Sequence, residues 1–384
     1  MVTAAQPFTA DPALTPVRAP RSPRPKGNRA VAAVRHLGPN WYASVMGTAI
    51  LATAGAGLPG GVPGLRTACA VLWALSLAIL AALLAARAAH WRYHPDQARA
   101  HLLDPATAPF YGCLAMALLA VGGSTLVVGA DWIGAGAAVA VDAVLFTAGT
   151  LLGLAAAVAV PYLMVVRHRT EPGQASPVWL LPLVAPMVSA AVGPLLVPRL
   201  PAGQARETLF LGCVALFGLS LLAVLVVLPM VFARLVTSGP LPLALTPTLF
   251  LVLGPLGQST TAAGKFADAA PGTMAAPYDR GFALFAVLYG VPVMGFALFW
   301  LAFAVALTVR ARRRGMGFAM TWWAFTFPLG TCVTGARSLA GHTGVTAFDA
   351  LAVALYVLLV TAWAAATAGT VRGLISGRLL AAPR

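Results

Sequence analysis

The chain has 384 residues, of which 60% are apolar and only 9% are charged, with a formal net charge of +15. A composition this apolar, with a mean hydropathy of +0.85, excludes an ordinary water-soluble domain and predicts membrane-spanning helices.

Apolar segments follow one another through the chain, each close to the ~20 residues that a spanning helix needs. We predict ten spans, at 39–58, 65–89, 106–129, 132–165, 178–198, 207–233, 241–263, 281–309, 317–340 and 347–371. Residues 1–35 have no apolar core and predict a disordered basic cytoplasmic tail, not a cleaved signal peptide. Residues 36–375 then form a ten-helix transmembrane domain, and 376–384 form a short cytoplasmic tail.

Proline and glycine interrupt every second apolar segment. The fifth is broken between Pro182 and Pro194, the seventh around Pro255 and the ninth at Pro328, whereas 209–230 is long and largely continuous. In lipid every backbone polar group must be satisfied internally, so broken helices survive only inside a bundle or beside a water-filled cavity. The alternation predicts an inner ring of bent, odd-numbered helices around a pore, and an outer ring that faces lipid.

The basic residues are distributed unevenly between the two sides of the predicted membrane domain. With the N-terminus inside, 19 of the 25 lysines and arginines fall on the cytoplasmic side. This bias sets topology and predicts an inner (plasma) membrane protein with both termini cytoplasmic. The positive charge therefore indicates a lipid bilayer as partner and no nucleic acid.

Sequence patterns for catalysis or for metal binding are missing or stand in the wrong context. Gly55-Ala56-Gly57-Leu58-Pro59-Gly60 fits a dinucleotide fingerprint, but it ends an apolar helix and no strand precedes it. The four cysteines are isolated, each within a predicted span, and predict neither a disulfide framework nor a zinc site. We therefore predict that the protein is not an enzyme and holds no metal or other cofactor.

Two ionisable residues near membrane depth are candidates for a function, since charge there is costly. Asp142 is the only acid deep in a predicted span, and either accepts hydrogen bonds between helices or couples transport to protons. Arg337 either concentrates anions at the outer mouth or extends its guanidinium to lipid headgroups. Near the breaks the polar residues are neutral and mostly hydroxyl-bearing, which suits weakly bound anions better than cations.

Three motifs resemble those of one transporter family. Residues 38–50 (Gly-Pro-Asn-Trp-Tyr-Ala-Ser-Val-Met-Gly-Thr-Ala-Ile) resemble the opening helix of the tellurite-resistance/dicarboxylate transporter family. Residues 253–259 (Leu-Gly-Pro-Leu-Gly-Gln-Ser) and 322–328 (Trp-Trp-Ala-Phe-Thr-Phe-Pro) resemble its seventh and ninth helices. The family also contains the plant slow-type anion channels and the yeast malate and sulfite transporters. With ten spans in order, the resemblance covers nearly the whole chain beyond the tail.

The resemblance implies five helical hairpins in a quasi-fivefold arrangement, a central pore lined by the odd-numbered helices, and a homotrimer. It also implies that a phenylalanine of the ninth helix plugs the pore, and Phe327 is the matching position; alternatively, Phe327 only packs beside Pro328. The predicted pore-lining residues are Met46, Gly47, Thr48, Pro186, Ser189, Gly254, Pro255, Gln258, Ser259, Pro328 and Thr331.

The predicted function is an anion channel or transporter that conducts small inorganic or organic anions through a pore gated by Phe327. The alternative is a proton-coupled carrier of a C4 dicarboxylate such as malate, or of sulfite, with Asp142 as the coupling group. Family membership leaves this choice open, because the family contains both channels and carriers.

Overall fold

The computed structural model describes residues 34–168 and 173–379. Almost all of the predicted tail at 1–35 lies outside these residues, as do 380–384 of the predicted C-terminal tail. The described residues form helices joined by short links, with no strand among them. This confirms the all-α class.

Each predicted span overlaps one principal helix, and we number these helices after the spans. These helices are α1 (Tyr42–Ala56), α2 (Leu65–Tyr93), α3 (Tyr111–Ser124), α4 (Ala135–Leu163), α5 (Leu180–Val192), α6 (Gln204–Ser238), α7 (Leu253–Ala269), α8 (Tyr278–Arg313), α9 (Phe327–Thr343) and α10 (Thr346–Ile375). A short connecting helix, Pro95–Leu103, links α2 to α3 and was not predicted.

Within the described residues, seven helical stretches are long and apolar enough to cross a membrane. They contain α2, α3, α4, α5, α6, α8 and α10. The remaining helices α1, α7 and α9, with 15, 17 and 17 residues, are not part of such a stretch. Length and composition therefore confirm a multi-pass membrane protein, while the full set of ten spans stays a prediction.

The odd-numbered helices differ from the even-numbered ones in regularity and in burial. Only 22–28% of the most apolar window of each even-numbered helix is buried, against 78% for the stretches containing α3 and α5. Each odd-numbered helix is preceded by a 3₁₀ stretch, which spans Leu243–Val252 before α7 and Met320–Phe325 before α9. The core therefore lies among the odd-numbered helices, as the alternation predicted.

The breaks themselves lie mostly at the helix beginnings and not in mid-helix. Pro328 occupies the first turn of α9, where a missing N–H costs nothing because it would have no intrahelical partner. Pro186 lies inside α5, which nevertheless continues to Val192. The even-numbered helices α4, α6 and α8 also contain one proline each without ending there.

Small residues let the inner helices approach closely. A Cβ built on Gly257 of α7 would lie 2.5 Å from the backbone nitrogen of Cys332 on α9. On α4, a Cβ at Gly149 would lie 2.7 Å from Cγ of Leu119 on α3. Such contacts provide the van der Waals packing that holds helices together in lipid, where no hydrophobic force between helices operates.

Candidate functional site

Two cavities lie one after the other along the centre of the odd-numbered helices. The N-side cavity, beside the beginnings of these helices, has a volume of about 40 Å³ and is lined by residues including Met46, Met116, Val184, Leu251 and Phe327. The C-side cavity, toward their other ends, has a volume of about 410 Å³ and is lined by residues including Ile50, Ala120, Val188, Gln258 and Thr334. Each odd-numbered segment therefore contributes to both cavities, one or two helical turns apart.

Phe327 separates the two cavities. It is the only described residue that lines both of them, and its side chain is buried. It is the first residue of α9, and Pro328 follows it in the first turn, so the ring stands where the 3₁₀ stretch changes into the α-helix. An apolar ring at the junction of two cavities can block a narrow passage both sterically and by excluding water.

The backbone just before Phe327 is held by contacts within its own bend and with α1 and α10. Thr326 donates a hydrogen bond from Oγ1 to the carbonyl of Trp323 at 2.7 Å, and the Trp323 indole donates to Oγ1 of Thr370 on α10 at 2.9 Å. Gly47 of α1 packs directly against Thr326, leaving no space for a side chain. The bend that presents Phe327 is therefore enclosed by α1 and α10.

The predicted pore-lining residues fall into two groups in the structure. Met46, Gly254 and Pro328 line the N-side cavity, and Gln258 lines the C-side cavity. Seven others line neither of these two cavities: Gly47, Thr48, Pro186, Ser189, Pro255, Ser259 and Thr331.

Residues of the second group make contacts between helices. Thr48 accepts a hydrogen bond from the indole of Trp363 on α10 at 3.0 Å, and Ser189 accepts one from Thr150 on α4 at 2.9 Å. Thr331 of α9 donates a hydrogen bond to the carbonyls of Leu253 and Gly254 on α7, both at 3.4 Å, besides one to Pro328 within its own helix. Adjacent helix positions point about 100° apart, so a residue next to a lining position faces a neighbouring helix.

Sequence reasoning missed several lining residues that follow helical spacing. On α7 the lining residues recur every three or four positions, from the predicted Gly254 and Gln258 to Thr261, Lys265 and Asp268, which were not predicted. Proximity to a proline break, by contrast, does not distinguish this face of α7 from the others. The spacing identifies the face of a helix only once the direction of the pore is known.

Neutral polar groups line the deep part of the C-side cavity. The hydroxyl of Thr261 lies 2.7 Å from that of Thr334, which joins α7 to α9 across the wall. Gln258 and Ser124 are both buried, and no described residue forms a hydrogen bond with Oε1 of Gln258 or with Oγ of Ser124. These groups leave hydrogen-bonding capacity for a solute, and they carry no charge that would trap it.

Charged residues lie at the mouth of the C-side cavity, and they form ion pairs with one another or with a neighbouring helix. Lys265 lies 2.9 Å from Asp268, whose other oxygen is 3.3 Å from Nε2 of His342. Arg337 pairs with Asp349 on α10 and donates from Nε to the carbonyl of Gly57 at 2.8 Å. Arg337 therefore joins α9 to the end of α1 and to the first turn of α10, and it lines the cavity.

Asp142 lines neither cavity. It lies on α4, is fully buried, and packs against Gly122 of α3. In the part of the chain that the structure describes, neither carboxyl oxygen has a hydrogen-bond partner. The neighbouring Gly123 does line the C-side cavity, so the backbone of α3 separates Asp142 from the passage.

The described residues contain no group of three or more His, Cys, Asp or Glu side chains that could hold a metal ion. All four cysteines are free and buried.

Most of the chain is similar to a protein family and to several transporters. The model of the SLAC1 family, described as a voltage-dependent anion channel, matches residues 36–371. An uncharacterized transporter of Methanocaldococcus jannaschii is 27% identical over 348 residues, which cover 90% of this chain and 96% of that protein. Sulfite efflux pumps named SSU1 from Arthroderma otae and Trichophyton rubrum are 27% and 28% identical over 354 and 364 residues, which cover 88% of this chain and 91% of each pump. These matches confirm the family resemblance seen in the three motifs.

Proposed function

Because the chain belongs to the SLAC1 family of voltage-dependent anion channels, we propose that it moves small anions through the two cavities, with Phe327 as the gate. The family consists of anion channels and transporters, which confirms the prediction that the chain is not an enzyme. The observation that carries the gate is the position of Phe327 as the only described residue bordering both cavities. Opening requires only that this ring move aside.

The lining favours anions over cations. The deep wall of the C-side cavity offers neutral groups such as Gln258, Thr261 and Thr334, and no carboxylate. Asp268, the acid that lines the mouth, lies between Lys265 and His342. A cation would find no uncompensated negative charge there, whereas an anion would meet donors that bind it weakly enough to let it leave.

Sulfite is the anion we propose first. Two relatives that this chain matches over 88% of its length are named sulfite efflux pumps. Export needs no coupling, because the interior-negative membrane potential drives a monovalent anion outward with ~2.3 kcal/mol per 100 mV. Chloride, nitrate and organic acids are the other candidate substrates of the same passage.

The alternative is a proton-coupled carrier of sulfite or of a C4 dicarboxylate such as malate. It needs a protonatable group in contact with the substrate, and Asp142 is the candidate from the sequence. The carboxyl packs against Gly122 and lines neither cavity, so it offers a substrate no direct contact. This location favours the uncoupled passage.

We extend the proposal to the arrangement in the membrane. All ten segments span it as five hairpins in quasi-fivefold order, with the N-side cavity open to the cytoplasm. Residues 36–375 form this domain in the plasma membrane, and the tails at 1–35 and 376–384 are cytoplasmic. The charge bias of the links supports this orientation. A homotrimer is part of the proposal, resting on the family resemblance alone.

The proposal is tested by anion flux from proteoliposomes under an imposed voltage, with sulfite, chloride, nitrate and malate as substrates. We expect Phe327→Ala to raise sulfite flux at least about tenfold, equal to ~1.4 kcal/mol of barrier, by removing the ring between the cavities. The matched control is Phe325→Ala. The Phe325 ring packs against that of Phe250, with the ring centroids 4.7 Å apart, and Phe325 lines neither cavity. Unchanged or lower flux in Phe327→Ala would contradict the gate.

The same vesicles separate a passive channel from a coupled carrier. A passive channel produces sulfite flux that follows voltage and ignores a pH gradient. Saturating flux that follows the pH gradient, in the wild type and in Phe327→Ala alike, would instead support the coupled carrier.

A further inference from the structure

Arg87, near the end of α2, carries a buried guanidinium that has no counter-ion within residues 34–168 and 173–379. The residue is 7% exposed, and neither Nη1 nor Nη2 has a hydrogen-bond partner among these described residues. Arginine stays protonated in proteins, so the group cannot escape burial by losing its charge. A buried charge of this kind requires a partner of opposite charge.

Two imidazoles lie beside the Arg87 guanidinium. The rings of His90 and His101 stack with centroids 5.4 Å apart and an interplanar angle of 5°. Both rings lie within electrostatic reach of Arg87. Nε2 of His90 and Nδ1 of His101 are buried without hydrogen-bond partners, as are the two Arg87 nitrogens. Four unpartnered nitrogens, from α2 and from the connecting helix, therefore belong to one cluster.

The walls of the cluster are aromatic and hold it in place. The Arg87 guanidinium carbon lies 5.9 Å from the ring centroid of Tyr111, and the Tyr42 hydroxyl donates to the carbonyl of Leu83 at 3.1 Å. Nδ1 of His90 donates to the carbonyl of Val34 at 2.8 Å. The cluster thus lies where residues 34–37 join α1.

No carboxylate among the described residues forms an ion pair with Arg87. The two nearby acids are engaged elsewhere: Asp96 pairs with Arg35 at 3.2 Å, and Asp104 accepts hydrogen bonds from Thr107 at 2.5 Å and from the Ala106 amide at 3.1 Å. The negative charge that Arg87 requires must therefore come from outside the described residues.

We propose that Arg87, His90 and His101 form a binding site for a tetrahedral oxyanion of the phosphate or sulfate type, distinct from the passage. The guanidinium supplies two parallel N–H donors, the geometry that suits such oxyanions, and the imidazoles supply the remaining contacts. The ligand is either a free ion or the phosphate headgroup of a lipid, since this end of α2 lies at the proposed cytoplasmic surface.

Binding at this site takes up protons. Nδ1 of His90 already donates to Val34, so Nε2 can donate to an oxyanion only after it gains a proton. Burial lowers the pKa of His101, helped by the charges of His90 and Arg87, and an adjacent anion offsets that effect. The other charged or titratable groups around these rings are His36, His94, Asp96 and Asp104. The affinity for the anion therefore rises as pH falls.

The test measures the melting temperature of the full chain in nanodiscs as sulfate replaces chloride at constant ionic strength. Sulfate is the probe because its charge is constant between about pH 6 and 8. Any change in affinity over this range then reports the protonation of the histidines and not that of the probe. We expect a saturable rise for the wild type, tighter at the lower pH. In Arg87→Gln the apparent affinity falls at least about tenfold, since charge-assisted bonds are lost.

Two further variants keep the test decisive. Arg92→Gln is the matched control, because Arg92 is exposed on the same helix with its guanidinium over Tyr93, and it should keep the wild-type response. His101→Gln should weaken sulfate binding and remove most of its pH dependence. This variant tests the site even if Arg87→Gln does not fold. Sulfate responses equal to those of the wild type in both cluster variants, with no lipid dependence, would overturn the site.

The source of the oxyanion is decided by repeating the measurement in two lipids. Nanodiscs with phosphatidic acid are compared with phosphatidylglycerol nanodiscs of matched surface charge. If phosphatidic acid raises the melting temperature through Arg87 and abolishes the response to sulfate, the ligand is a lipid headgroup. If the response to sulfate is the same in both lipids and needs Arg87, the ligand is a free ion.

Discussion

Gly47 of α1 packs against Thr326 so closely that a Cβ at position 47 would overlap the threonine hydroxyl. The same Cβ would lie 3.0 Å from Cε3 of Trp323. Both neighbours belong to the bend that precedes Phe327. The position of the proposed gate therefore depends on a glycine that lines neither cavity.

We expect Gly47→Ala to displace Thr326 and to move the Phe327 ring away from the junction of the two cavities. Overpacking of this kind costs about 1–3 kcal/mol, so the melting temperature falls while basal sulfite flux rises. The control is Gly212→Ala on α6, because a Cβ at Gly212 meets no atom within 4 Å. Equal stability and flux in the two variants would show that the contact between Gly47 and Thr326 does not position the ring.

Asp142→Asn separates the two transport mechanisms. The carboxyl is fully buried, lines neither cavity and has no hydrogen-bond partner, so we expect the amide to leave voltage-driven sulfite flux within about twofold of the wild type. Flux is measured with a voltage alone and with a pH gradient alone. Loss of a pH-driven component in this variant, with voltage-driven flux retained, would assign proton coupling to Asp142.

Opposite changes at the mouth of the C-side cavity should have opposite effects. Lys265→Gln leaves Asp268 without its closer cationic partner, so we expect anion flux to fall several-fold; Asp268→Asn should raise it. Both effects should shrink at high salt, because the Debye length falls to ~3 Å at 1 M. Arg280→Gln, a charge change at an exposed position outside both cavities, is the control. Effects of the same sign in both mouth variants would exclude an electrostatic role.

The pair of Arg337 and Asp349 should stabilise the end of the bundle to a measurable degree. The two side chains are 29% and 34% exposed, so we expect a coupling energy of about 1 kcal/mol, the upper end for exposed pairs. The coupling energy is obtained from a double-mutant cycle of Arg337→Gln and Asp349→Asn, in which the free energy of unfolding is measured at low and at high salt. Additive single effects would mean that Arg337 acts through the Gly57 carbonyl alone.

Some site residues could be predicted from sequence because their chemistry is local. Pro328 marks the start of α9 wherever that helix packs, and the family motif identified the neighbouring Phe327. Met46, Gly254 and Gln258 were placed near the passage for similar reasons. Thr48 and Ser189 were predicted by the same criterion but bond to Trp363 and Thr150. Polarity near a break does not tell on which side of a helix a residue lies.

The apolar segments, their alternation and the three motifs were sufficient to predict an all-helical membrane protein and its family. These features depend on the hydrophobic length of each segment and on proline geometry, both of which act within a single helix. Three results needed the tertiary structure: the two cavities that meet at Phe327, the separation of Asp142 from the passage, and the unpaired charge of Arg87. Each depends on how a helix is rotated about its own axis, which is decided by packing against neighbours distant in sequence.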